Sequence, residues 1–97
     1  MKYLIIDASL NGTGIRDEYN GGFIFPESLG LSQILINKLN AWLCLYAKEI
    51  YTGYTNIINI KSLDDTGLSI TKEIKNELRD VKIFYFSDAT MKKTVVT

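Results

Sequence analysis

Val81-Lys82-Ile83-Phe84-Tyr85-Phe86 is the clearest strand in the chain. It is β-branched or aromatic at every position but one, and too short for a separate amphipathic helix. Near the other end, Lys2-Tyr3-Leu4-Ile5-Ile6-Asp7 reads as a second strand that closes at an aspartate. Its lack of alternation predicts burial on both faces, as in a central strand. Two helical patterns lie between them. Leu31, Ile34, Leu35, Leu39, Trp42, Leu43, Tyr46 and Ile50 recur at three- and four-residue steps, predicting a helix from Leu31 to about Tyr51. Ser28 or Ser32 is its candidate cap, and Gly53 its stop. Leu63, Gly67, Ile70, Ile74 and Leu78 predict a second helix, with Ser62 and Asp65 as a capping box and Asp64 and Asp65 in its first turn. A helical crossover between strands predicts at least one parallel pair. The expected fold is therefore α/β or α+β: a mixed sheet of about two to four strands on two helices, in one domain over residues 1–97.

Three segments read less sharply. Residues 8–30 hold five of the seven glycines and the only proline, Pro26, and predict a long irregular loop with Phe23-Ile24-Phe25 as a short extended piece. Tyr54 to Ile60 fits either a short strand or an extended connection. Thr94-Val95-Val96 fits a last edge strand.

Composition narrows the function. The 97 residues are 46% hydrophobic and 23% charged, enough apolar surface for one packed core. Eleven basic and eleven acidic residues cancel, so the basic excess of a nucleic-acid binder is missing. With no histidine, the commonest general base and metal ligand is absent, and no spaced set of carboxylates replaces it. No cofactor or metal is expected. The single cysteine, Cys44, excludes an internal disulfide and suits a reducing compartment; it reads as a small buried apolar residue. No secretory signal is visible, and the longest apolar run, Ala41 to Ala47, is far shorter than the roughly 20 residues that span a bilayer. A cytoplasmic location is expected.

Candidate sites follow from position and charge. Arg16-Asp17-Glu18-Tyr19 is a charged cluster with an aromatic anchor inside the glycine-rich loop, suited to recognising a partner or to pairing internally. Tyr46, Tyr51 and Tyr54 suit either a core rim or an interface. Tyr85 and Asp88 stand at the carboxyl end of the second strand, where ligands collect in open α/β sheets. Were that strand a parallel neighbour of the first, Asp7 and Asp88 would be close. Asn11-Gly12-Thr13-Gly14 follows the first strand, but no lysine follows it as in a P-loop. Asp17 also occupies the place of the third glycine of a dinucleotide loop.

Three stretches resemble small bacterial immunity proteins of contact-dependent growth inhibition systems. They are GTGIRDEYNGGFI at 12–24, LDDTGLSITKEIKNEL at 63–78 and VKIFYFSDA at 81–89. The resemblance implies a cytosolic α/β protein that binds a cognate toxin domain, commonly a nuclease, and blocks its active site or substrate access without catalysis. It also implies an acidic face toward a basic toxin. Here such a face would come from Asp17, Glu18 and Glu27 in the loop and Asp64 and Asp65 on the second helix, with Lys72, Lys75, Lys92 and Lys93 elsewhere. Two other functions stay open: a small nucleotide- or metal-binding enzyme domain using the 11–22 loop with Asp7 and Asp88, and a subunit of a homo-oligomer or larger complex joined through an edge strand near Thr94–Thr97.

Overall fold

The strand at 81–86 extends by one residue to Val81–Ser87 and lies inside a four-stranded mixed sheet. This computed structural model describes residues 2–97. In chain order the elements are β1 (Lys2–Ile6), β2 (Ile15–Asp17), a 3-10 turn (Pro26–Leu29), α1 (Gln33–Tyr51), α2 (Ile57–Leu78), β3 (Val81–Ser87) and β4 (Lys92–Val96). The strand order is β2-β1-β3-β4. β1 and β3 are the expected parallel pair, and both outer strands run antiparallel to their neighbours. The fold is α+β.

Alternation along β3 sorts the faces. Val81, Ile83, Tyr85 and Ser87 are buried under the helices, whereas Lys82, Phe84 and Phe86 belong to the opposite, more open face. Leu4, Ile6 and Ile15 join the helix-side core with Leu35, Leu39, Trp42, Ile70 and Ile74. Trp42 is 1% exposed, and its indole N–H donates to the Leu63 carbonyl at 2.9 Å, so one ring fills the core and ties the helices. Ser32 caps α1 by accepting from the Leu35 amide. Glu77 of α2 in turn accepts from the Ser32 amide and hydroxyl, both at 2.7 Å. These two bonds, the hydroxyl's above all, hold the Glu77 carboxyl below its ordinary range.

Four expectations need correction. The helix α2 starts at Ile57, not Leu63, because Asn56 caps it by accepting from the Asn59 amide at 3.0 Å. Ser62 and Asp65 are therefore no capping box: both lie inside the helix, and Asp65 pairs with Lys61 one turn before it. The 8–30 segment contains a strand, β2, too short for periodicity to reveal. Its outer side accepts a further extended piece through Asp17 N–H to Gly22 O and Ile24 N–H to Ile15 O, each 2.9 Å, so Phe23 does lie extended. Ile34 and Cys44 are exposed, on the outer side of α1.

Two glycines are required by close approach. Gly14 has φ +91°, and a Cβ there would also lie 2.9 Å from Leu39 Cδ1. Gly67 sits where α2 crosses Tyr85, and a Cβ would fall 2.4 Å from Tyr85 Cε1. Gly67→Ala should therefore cost about 2 kcal/mol in urea unfolding, because overpacking against a pinned ring outweighs the gain in helix propensity. Unchanged or raised stability would show that the crossing can relax.

Candidate functional site

The carboxyl end of β3 gathers the largest polar network. Asp64, two turns inside α2, accepts from the Tyr46 hydroxyl at 3.0 Å and the Tyr85 hydroxyl at 2.6 Å through Oδ1, and from Ser87 Oγ at 2.8 Å through Oδ2. The Tyr46 oxygen accepts from the Ala89 amide at 3.1 Å, and Ser87 Oγ from the Thr90 amide at 3.2 Å, which fixes the β3–β4 turn. Beside it the Tyr54 hydroxyl donates to Asp88 Oδ2. Trp42 packs edge-on to Tyr46, and Tyr46 edge-on to Tyr54, at centroid distances of 5.6 and 6.3 Å. Every polar group named here already has a partner within the chain, as a structural clamp between α1, α2 and the sheet requires.

Burial raises the phenol pKa of Tyr46, Tyr54 and Tyr85 above the ordinary 10.0. Negative charge adds to this, from Asp64 at Tyr46 and Tyr85 and from Asp88 at Tyr54. A folded-state pKa above the unfolded one contributes stability that is complete below the unfolded value and is lost as pH rises past it. Unfolding monitored by circular dichroism should accordingly show constant stability from neutrality to about pH 9 and a steep loss above about pH 10. Tyrosinate absorbance should appear together with unfolding for these three rings. Ionisation of all six tyrosines at the ordinary pH with the fold intact would contradict this.

The sequence-derived residues separate into two groups. Asp64, Tyr85 and Asp88 are committed to the clamp, and Tyr85 is 2% exposed. Arg16 Nη2 lies 2.7 Å from Oδ2 of the fully buried Asp7, an ion pair whose N–H is not aimed as a hydrogen bond; Asp7 Oδ1 accepts from the Ser9 amide. Asp17 Oδ1 accepts from the amides of Tyr19 and Asn20, both 2.9 Å, and these bonds, that of Asn20 foremost, lower its pKa. Glu18 pairs with Lys93 at 2.7 Å across the open sheet face. Outward-facing members are Tyr19, 76% exposed and edge-on to Tyr3, Glu27 in the 3-10 turn, and Asp65, paired with Lys61. An acidic face is thus largely neutralised from within.

Asp7 and Asp88 directly follow the ends of neighbouring parallel strands, but one is held by Arg16 and the other by Tyr54. Among the described residues no group of three or more His, Cys, Asp or Glu side chains is arranged for a metal ion. The space that Gly12 opens is filled by the Phe23 ring, 2.5 Å from where a Cβ would stand, and that of Gly14 by Leu39. Both glycines accommodate the protein's own side chains. The outer edge of β4 is open and carries Lys92 and Lys93, residues that discourage strand addition.

A different surface emerges at the tip of the α1–α2 hairpin. Asp64 lies level with Ser87, the last residue of β3, yet α2 begins seven residues earlier. At 1.5 Å per residue the helix overhangs the end of that strand by about 10 Å. Tyr51, Ile57 and Ile58 flank the turn at this end and are 80%, 80% and 81% exposed. Here Tyr54 reaches back to the β3–β4 turn from a left-handed conformation with φ 59°. Periodicity does not reveal this surface. Its one local signal is a pair of isoleucines just after a capping asparagine and ahead of the core stripe that starts at Leu63. Of the three tyrosines, Tyr46 is core, Tyr54 half-buried and Tyr51 outward. No described helix is long and apolar enough to cross a membrane. No family model matches this sequence, and no curated protein matches it.

Proposed function

We propose that this chain is a cytosolic immunity protein that binds a cognate toxin domain and blocks its active site or its access to substrate. The three stretches resembling immunity proteins suggest the class of function, and the overhanging hairpin tip carries the reading. Three large apolar side chains about 80% exposed at one end of a small domain have no use in its own core. They suit a partner that covers them, with Tyr51 as the aromatic anchor. Such an interface would bury roughly 1,200–2,000 Å² in total. The Tyr54–Asp88 hydrogen bond ties the tip to the β3–β4 turn, and an anchored segment loses less entropy on binding.

The test is capture of the toxin domain encoded in the adjacent reading frame, with growth rescue of cells expressing that toxin. Stoichiometric capture with rescue supports the proposal. A folded chain that neither captures nor rescues against an active toxin overturns it. Self-association through the same tip is the competing use of this surface, and sedimentation would reveal it as a concentration-dependent dimer without toxin.

A further inference from the structure

Beside the overhang, a groove of about 310 Å³ runs between the end of α1 and the first turns of α2, lined by Leu45, Lys48, Glu49, Asn59, Ser62 and Leu63. Glu49 Oε1 accepts from Asn59 Nδ2 at 3.0 Å. Glu49 Oε2 is withdrawn from solvent and accepts from no donor. Among the described residues no cation stands within ion-pair distance of this carboxylate, although Lys38, Lys61, Lys93 and Arg16 are all paired. A desolvated carboxylate oxygen without a donor costs stability, which a donor from outside would recover.

We infer that this groove is a socket for one cationic side chain, arginine or lysine, of a partner protein; the inference rests on the reading of the chain as a partner-binding protein. Glu49 is the acceptor. Its terminal torsion is soft, so the carboxylate of this lining residue can reorient to present an oxygen to a ligand in the groove. Asn59 and Ser62 add a carbonyl and a hydroxyl oxygen for the remaining N–H groups of a guanidinium. Leu45, 52% exposed, and Leu63 flank the path of an aliphatic stem. The exposed Ile57 and Ile58 lie on the same helix as Asn59, in its first turn, so partner residues packed on them would exclude water from the ion pair. The chemistry selects a positively charged partner loop even though the chain is neutral overall.

The socket can be probed without the toxin. N-acetyl-arginine amide and N-acetyl-lysine amide, titrated into the isotope-labelled full chain, should give saturable NMR shifts at the Asn59 side-chain amide and at Ser62. N-acetyl-norleucine amide, the uncharged analogue, should not. Glu49→Gln should weaken the response at least tenfold while leaving the thermal midpoint unchanged or raised, since it removes a charge that lacks a donor. Equal shifts from norleucine amide, or an undiminished response in Glu49→Gln, would overturn the inference. So would binding that appears only in Lys48→Ala, because Lys48 would then be the groove's own cation. A silent socket with toxin capture intact removes this inference alone; a responsive socket without toxin capture removes the immunity reading instead.

Discussion

Replacing Ile57 and Ile58 together by aspartate should abolish growth rescue and weaken toxin binding by roughly 100-fold or more, the combined effect of losing two apolar anchors. The fold should be unaffected. Both side chains are about 80% exposed, so no core contact is lost and stability should stay within about 0.5 kcal/mol. Aspartate in the first turn of α2 also favours the positive helix end. Calorimetric titration paired with urea unfolding checks both halves. Full rescue by the double variant would remove the hairpin tip from the interface. Tyr19→Ala is the informative companion: if it abolishes binding while the tip variant does not, the interface lies on the charged loop and the open sheet face instead.

Asp64→Ala should lower stability by about 3–5 kcal/mol, a large share of the whole for a domain of this size. Three hydroxyl donors, from Tyr46, Tyr85 and Ser87, lose their common acceptor. Each buried donor left unpaired costs about 1–3 kcal/mol, partly relieved where water enters. Asp64→Asn should recover part of this, since its carbonyl oxygen still accepts while its amide meets donors rather than acceptors. Urea unfolding of both variants measures the difference. A loss below about 1 kcal/mol for Asp64→Ala would show that the cluster is surface chemistry, and would return Asp64 to the candidate partner contacts.

The two variants test opposite errors of a reading from pattern alone. Tyr85 and Asp88 combine a hydroxyl or a charge with a strand end, the profile of a ligand site, and Asp64 adds a carboxylate to an acidic helix face, yet each is occupied by the protein itself. Ile57 and Ile58 fall in a segment that reads as a short strand or an extended connection, yet they open α2 and face outward. Arg16, one of whose expected roles was an internal pair, found Asp7 rather than Asp17 because β2 pairs antiparallel with β1, a pairing set between strands eight residues apart.

Local pattern was enough for β1, β3, the phase of α1, the core position of Trp42 and the parallel pairing of the two central strands. The strands are written in short β-branched, aromatic or unbroken apolar runs, the helix face in apolar steps of three and four residues, and the parallel pairing in the helical crossover between the strands. The roles of the polar groups depended on something no short window contains: how far α2 slides along β3. The close approach of Gly67 to Tyr85 places Asp64 level with Ser87, turning three suspected surface groups inward. The same offset leaves the first turns of α2 beyond the end of β3, where Ile57 and Ile58 have no core to enter and Glu49 keeps an oxygen without a donor.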